Sequence, residues 1–304
     1  MYKNYKYVLE KYSGSKSRFN CPNCKRKEFT RYKNIETNEY LPYEYGICNR
    51  MIKCGYKKYP SQKINSNLEE VNHNHLEIIE YLDKKILYKF ENSNLKNPLF
   101  IFLKLYFDEI KVQQIFELYQ VKTEKYYENY LTVFPQLDQD FNLRALKKMR
   151  YNSQTGKRNK SFFQWYNPNK NNLKQCLFGL HILNEPIFLE SKIVIVESEK
   201  TAILGMLYFE NYLFLATGGM MNLTLERLEP LQGKEIILMP DLSPINAKKS
   251  AFDYWKNKAV RIAKEISCSI SISTLLEEYS SDFQKENQYD LGDFIIENLI
   301  NSKT

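Results

Sequence analysis

Four cysteines near the start of the chain, Cys21, Cys24, Cys48 and Cys54, constrain its fold more than any other feature. They are spaced C-x2-C, 23 residues, C-x5-C, in the contexts CPNC and CNRMIKCGY. A close pair on one tight turn supplies two corners of a tetrahedron and a second turn supplies the others, the arrangement zinc prefers with thiolates. A segment this short cannot build a sufficient core of its own, so metal binding there is folding energy. Four thiolates also leave no open coordination position, which makes the expected zinc structural. The ribbon is expected to span residues 1–60. Around its ligands Arg18, Lys25, Arg26, Lys27, Arg31 and Lys33 are interleaved with Phe19, Phe29 and Tyr32, a pattern that suits phosphates and unpaired bases or, alternatively, a docking protein. Clustering of four of the six cysteines speaks for a metal site rather than a disulfide framework. The first ten residues lack the apolar core of a secretion signal, and no apolar run reaches the roughly 18 to 20 residues of a membrane helix. A cytoplasmic protein with no membrane partner is expected.

The net charge of +8 is unevenly distributed. Residues 1–60 hold 14 Lys/Arg against 5 Asp/Glu, and residues 141–184 hold 9 Lys/Arg and no acid, so the remaining stretches are acidic. Basic blocks beside acidic regions point to a polyanionic partner, because neutralised phosphates release counterions; plain solubility is the alternative. Residues 61–67 are polar and turn-rich and read as a linker. Over 68–130 apolar residues recur at three- and four-residue spacing, as in Leu76, Ile79, Leu82 and Ile86 and again in Phe102, Leu105 and Tyr106, which predicts helices. Residues 131–186 read as a small basic β-rich unit, with strands at 131–134, 143–151 and 161–166.

From 187 to 304 strands alternate with helices: strands at 192–197, 212–217, 235–241 and 268–275, helices near 199–209, 223–231 and 246–266. The near-continuous apolar runs IVIVE, YLFLAT and EIILMP predict an α/β, Rossmann-like domain whose parallel sheet is covered on both faces. Glu197 then closes the first strand, Glu199 and Lys200 open the following helix, Thr217, Gly218 and Gly219 close the second strand, and Asp241 closes the third. All lie on one edge, and ligands of open parallel sheets bind outside the carboxyl ends of the strands. Two carboxylates there can share a magnesium or manganese ion whose shell is completed by phosphate oxygens, and the glycines allow close backbone approach.

At these residues the sequence resembles the Toprim domain, the catalytic module of bacterial primases, topoisomerases and some nucleases. That family carries a glutamate after its first strand, a glycine-containing second turn and Asp-x-Asp after its third strand. Glu197, Gly218 and Asp241 match, while Ser243 stands at the second aspartate. The segment YDLGDFI resembles the Asp-x-x-Asp that follows the core in primases, which implies that Asp290 or Asp293 supplies the missing charge. A four-cysteine ribbon, a mixed helical and β basic middle region and a Toprim domain is the order of bacterial primases. The segments CNRMIKCGY, YNSQTGKR, CLFG, VESEKTA, ATGG and PDL resemble a shorter primase-like family of bacterial mobile elements.

In the basic block, Arg144, Lys147, Lys148, Arg150, Lys157, Arg158 and Lys160 precede Phe162, Phe163, Trp165 and Tyr166. Cations for phosphates and rings for bases suit single-stranded DNA or an RNA–DNA hybrid, and the resemblance implies contact with template or incoming nucleotides; a packed β-core is the alternative for Phe162 and Phe163. His73 and His75 read as solvent-exposed, and His181, Cys176 and Cys268 as core residues. The resemblance implies primer synthesis on single-stranded DNA by magnesium-dependent nucleotidyl transfer in replication of phage, plasmid or mobile-element DNA, with a helicase or relaxase as protein partner. A single-strand-binding replication or mobilisation factor with a degenerate acidic site, and a Toprim nuclease, are the rivals.

Overall fold

The computed structural model describes residues 7–50, 53–60, 80–91, 93–166 and 173–302. The expected linker and both His73 and His75 lie outside them. The described residues fall into two compact units, one within 1–75 and one within 76–304. No helix among the described residues is long and apolar enough to cross a membrane.

The first unit is an antiparallel sheet of β1 (Tyr7–Leu9), β2 (Phe29–Asn34), β3 (Gly46–Cys48) and β4 (Lys57–Lys58), paired in that order. Its core is small: Cys21, Phe29 and Cys48 are buried, with Phe19, Cys24, Cys54 and Tyr56 packed against them. Four of these seven residues are cysteines, so little apolar area is available to hold the strands without a metal.

The second unit begins with α1 (Pro98–Leu103) and α2 (Glu109–Leu118). Asn97 starts α1 with its side chain, accepting from the Leu99 and Phe100 amides, and Pro98 follows as a first-turn residue that has no amide to satisfy. Next come β5 (Lys122–Tyr126), β6 (Asn129–Leu137), β7 (Leu143–Tyr151) and β8 (Arg158–Trp165), an antiparallel sheet in sequence order. The helical spacing therefore stops short of 122. Thr123 is fully buried and hydrogen-bonded to Asn94 and Asn97, partners that reward an extended strand at this point.

A parallel sheet follows, of β9 (Lys192–Val196), β10 (Tyr212–Ala216), β11 (Glu235–Leu238) and β12 (Ser269–Ile272), in the order β10-β9-β11-β12. Its connections carry α3 (Glu199–Tyr208), the short α4 (Leu225–Leu228) and α5 (Ala251–Ile266). Behind β12 lie α6 (Leu275–Tyr279), α7 (Asp282–Glu286) and α8 (Leu291–Asn301). This is the α/β fold with a parallel sheet that the apolar runs predict. Residues 193–196 and 213–216 are buried because helices cover the sheet, so both side-chain directions need apolar groups. The helix expected over 223–231 is broken at Pro230, and α5 starts later than 246, at a Ser250 cap. One hydrophobic cluster runs from Leu99 to Ile295 and includes Phe134 of β6, Met149 of β7, Phe178 and the parallel sheet. Tyr119 ties these parts together: its ring stacks on Phe178 at 4.8 Å and its hydroxyl donates to the Phe214 carbonyl.

Candidate zinc centre and acidic site

In the ribbon the four cysteine sulfurs lie within 4.8 Å of one another. Cys21 and Cys54 are 3.7 Å apart and Cys24 and Cys48 3.9 Å. A tetrahedral zinc with sulfurs at about 2.3 Å requires edges of about 3.8 Å, so these residues fit the ion. The turns that aim them have left-handed residues directly after a ligand, Lys25 (φ 59°) and Gly55 (φ 66°), and the Lys25 amide closes its turn on the Cys21 carbonyl. Burial pushes the Cys48 thiol up to about 12, whereas the Tyr56 amide brings the Cys54 thiol down to about 6. A cation among the four removes the penalty on Cys48, since a bound metal holds its ligands as thiolates.

The basic residues around the ribbon divide by exposure. Lys25, Arg26 and Lys27 are exposed, but the Arg31 guanidinium sits 4.6 to 5.2 Å from the rings of Phe19, Tyr40 and Tyr43, and Lys33 pairs with Glu10 at 3.0 Å. Phe29 is fully buried and so packs rather than stacks on bases.

At the carboxyl edge of the parallel sheet, β9 delivers Glu197 and β11 delivers Asp241, whose amide donates to Glu197 Oε1 at 3.3 Å. Ser198 caps α3, accepting from the Thr201 amide, and so fixes the direction in which Lys200 leaves the helix. Opposite stands the start of α8, where Asp290 and Asp293 form a reciprocal capping box. Thr201 Oγ1 donates to Asp290 Oδ2 at 2.8 Å, and Lys200 Nζ lies 3.5 Å from Asp293 Oδ1 and 3.9 Å from Asp290 Oδ2. The structure thus brings Glu197, Lys200, Asp241, Asp290 and Asp293 together, although Asp290 and Asp293 follow Glu197 by more than ninety residues.

The charge balance of this cluster is unfavourable as it stands. Burial, and then the charge of Asp290, raise the Glu197 carboxyl to about 7 against the amides of Asp241 and Met220. Burial, Asp290 and Glu197 raise Asp241 well above its ordinary value, and burial and Asp290 raise Asp293. Burial works against the Lys200 ammonium, but Asp290, Asp293 and Asp241 outweigh it and its pKa rises. One lysine against four carboxylates leaves room for further positive charge. Among the described residues the cysteines form the one group of three or more ligands drawn close enough to hold an ion by themselves. Glu197 and Asp241 would hold magnesium or manganese in the other common manner, with one or two carboxylates and the rest of the shell from water and phosphate.

Two candidates are committed elsewhere. The Ser243 hydroxyl accepts from the Ala251 amide at 2.8 Å and thereby helps to start α5. Glu199 is buried against Lys147 of β7, with both carboxylate oxygens 2.7 to 2.8 Å from the ammonium. Beside that pair, Gly218 and Gly219 turn the chain at φ +80° and +144°, and a Cβ on Gly218 would sit 3.4 Å from Glu199 Oε1. Thr217 steadies the turn, donating through Oγ1 to the Gly219 carbonyl at 3.0 Å. The spacing of motifs does not reveal Arg227 of α4, whose guanidinium donates to the Thr217 carbonyl and to Gln175 Oε1, bracing this turn from outside. A lone cation on a short helix near the glycine turn is the only signal the sequence carries for it.

The acid-free block finds its acids in other segments. Arg144 pairs with Asp138 at 2.7 Å, Lys148 with Glu124 at 2.7 Å, and Arg150 donates to Asn129 Oδ1 at 2.6 Å. Lys157, Arg158 and Lys160 are exposed and have no ion-pair partner among the described residues. Trp165 is half-buried beside an exposed Phe163, rings 5.7 Å apart, with the Lys147 ammonium 6.0 Å from the indole. Cys176 and His181 are buried, the latter with Nε2 2.9 Å from the Leu118 carbonyl, and Cys268 is half-buried.

A closed four-thiolate ribbon together with a parallel α/β sheet carrying buried acids at its carboxyl edge defines a two-part, metal-binding class of protein. Within it, residues 5–69 match a family described as a zinc beta-ribbon finger, and residues 97–242 match a domain of unknown function, DUF6371. No curated protein sequence matches the chain. Its fold is similar to that of bacterial and phage primases. The zinc-binding and RNA polymerase domains of the Aquifex aeolicus primase align over 97% of this chain and 80% of that one, at 16% identity and a TM-score of 0.44. The primase fragment of the bacteriophage T7 primase-helicase aligns over 96% and 100%, at 14% identity and a TM-score of 0.36. The RNA polymerase domain of the Mycobacterium tuberculosis primase aligns over 71% and 80%, at 11% and 0.40. The functional reading therefore rests on the residues of the site.

Proposed function

We propose that this is a primase-like nucleotidyltransferase that synthesises primers on single-stranded DNA with magnesium or manganese at Glu197 and Asp241. The observation that carries the reading is the gathering of Asp290 and Asp293 at the start of α8 beside Glu197, Asp241 and Lys200, because it returns the carboxylate charge that Ser243 lacks. The ion would neutralise charge developing on the transferring phosphoryl group. Glu197 and Asp241 orient it, Lys200 limits the repulsion among the acids, and Gly218 and Gly219 keep the neighbouring turn free of side chains. The exposed cations Lys157, Arg158 and Lys160, together with Phe163 and Trp165 on the edge strand β8, suit a single strand or an RNA–DNA hybrid. A cytoplasmic role in replication of phage, plasmid or mobile-element DNA, beside a helicase or relaxase, completes the proposal.

The test is primer synthesis on single-stranded DNA with ribo- or deoxynucleoside triphosphates and Mg²⁺ or Mn²⁺. Wild type synthesises primers and Glu197→Gln does not; equal silence of both across templates and metals sinks the reading. A second reading, a non-catalytic single-strand-binding factor, is favoured by one observation: Ser243 and Glu199 are both engaged inside the fold. It predicts salt-sensitive strand binding that Glu197→Gln leaves intact.

A further inference from the structure

The helices that follow β12 leave an apolar groove open to solvent, with a volume of about 480 Å³, between the end of α3, α6 and α8. On α8, Leu291, Phe294, Ile295 and Asn298 line it at i, i+3, i+4 and i+7, so one face of that helix runs along the groove. Leu291 and Ile295 are buried and form its floor, whereas Tyr208, Leu275 and Tyr279 form a rim that is 39%, 42% and 74% exposed. We propose that this groove docks a basic amphipathic helix of a partner protein. The proposal goes beyond the nucleotidyl-transfer reading and does not depend on it.

The groove is held in shape by contacts within the fold. Gly292 brings α8 close to α3, since a Cβ there would fall 2.7 Å from Leu204 Cδ1. Gln284 of α7 donates to Glu297 Oε2 of α8 at 2.7 Å, and its own carbonyl accepts from the Ser281 amide at 2.8 Å. A preformed groove spares a partner the cost of ordering it. These bonds also engage Gln284 and Glu297 with the fold itself. A small-molecule site needs a few polar groups converging on its ligand, and here the side chains suited to that role already serve the walls.

Charge selects the partner. Residues 275–300 hold seven Asp/Glu and one Lys. Asp290 and Asp293 belong to the acidic crevice, where Lys200 is close to both. The other five, Glu277, Glu278, Asp282, Glu286 and Glu297, make no ion pair among the described residues. Such a field repels nucleic-acid phosphates and anionic lipid, and it favours a cationic protein surface. Aromatic side chains at the rim suit the core of a protein interface. An apolar groove along a helix face takes the apolar stripe of another helix, at i, i+3, i+4 and i+7, and leaves that helix's lysines and arginines at the acidic margins. Because the chain as a whole is +8, a basic partner gains nothing from net charge and must find this local acidic region.

The experiment is an anisotropy titration of the full chain into a labelled synthetic helix with leucine at i, i+3, i+4 and i+7 and lysine elsewhere. A scrambled peptide of the same composition and a version with glutamate for lysine are the comparisons. Wild type binds the leucine–lysine helix at least about tenfold more tightly than either. Tyr279→Ala weakens it by about tenfold, Glu278→Lys weakens it severalfold, and Ile110→Ala, at an exposed apolar position on α2, has no effect. Equal binding of the scrambled peptide overturns the proposal, as does binding that neither Tyr279→Ala nor Glu278→Lys changes. Light scattering distinguishes the other occupant: no peptide binding, with self-association that Tyr279→Ala abolishes, would make the groove an interface between copies of this chain and overturn the proposal too.

Discussion

The ribbon and the acidic crevice gather their ligand-type groups in different ways, and under the proposed reading they differ in who supplies the last ligands of a metal. In the ribbon four sulfurs already stand at tetrahedral spacing, two of them buried, and nothing further is needed to close the shell. In the crevice the acids belong to three separate segments, are held partly by hydrogen bonds to one another's backbone, and share one lysine. Their raised pKa values show that the cluster is under charge as well as desolvation stress. A closed site stores its binding energy as folding. An open one keeps coordination positions for an incoming phosphate, and so is suited to exchange.

The largest expected effect tests the first half of that contrast. Cys48→Ser, or strong chelation, removes one zinc per chain. Structural zinc sites are worth about 10 to 16 kcal/mol, far more than a core of three buried residues supplies. Amide exchange over 7–60 should rise to unprotected rates while protection over 80–302 is retained. A ribbon that stays protected without metal would show that the small aromatic core suffices.

Next in size is Lys147→Met. It leaves Glu199 charged at 1% exposure with no partner, which costs about 3 to 5 kcal/mol in denaturant unfolding of the second unit. Adding Glu199→Leu should return most of that loss, because replacing both members of a buried pair by apolar groups is often near neutral. If the single variant is as stable as wild type but fails to bind single strands, Lys147 is a nucleic-acid contact after all.

This pair also marks where reading the chain alone runs out. Near-continuous apolar runs place Glu197, Thr217 and Asp241 on one edge because a two-sided buried sheet leaves few other registers. The cysteine spacing locates the ribbon for a similar reason, since four thiolates have few other uses at that density. Lys147 sits in a stretch without acids, and its partner is 52 residues later, so pairing depends on how β7 lies against α3 and no local pattern records it. Arg31 is likewise indistinguishable from its exposed neighbours until three rings close around it. Strand β5 contains Lys, Thr, Glu, Lys and Tyr and takes its conformation from the Thr123 contacts rather than from its own preference.

The crevice gives a pH signature with a definite sign. Glu197 is raised to about 7 in the fold, above the ordinary 4.5, so the folded state holds its proton more tightly than the unfolded chain does. The contribution of Glu197 to metal-free stability is therefore fully present below about 4.5, falls as pH rises toward about 7, and then levels off. A divalent ion needs the carboxylate and competes with that proton. Mn²⁺ should raise the melting temperature at pH 8 and progressively less toward pH 6, and Glu197→Gln should abolish the effect. A manganese shift that persists undiminished at pH 5 would place the ion elsewhere.

The smallest effect separates ligand from cap at Ser243. Its hydroxyl accepts from the Ala251 amide, one of the donors that α5 cannot satisfy within the helix, and Ser250 next to it accepts from Asp253. Ser243→Ala should therefore cost about 1 kcal/mol, the usual value of one capping bond, and leave the affinity for Mn²⁺ unchanged. Ser243→Asp should keep the bond, because a carboxylate also accepts from an amide and is favoured at a helix N-terminus. If Ser243→Ala lowers Mn²⁺ affinity with stability intact, the hydroxyl belongs to the metal shell, and the crevice is less open than its acids alone make it.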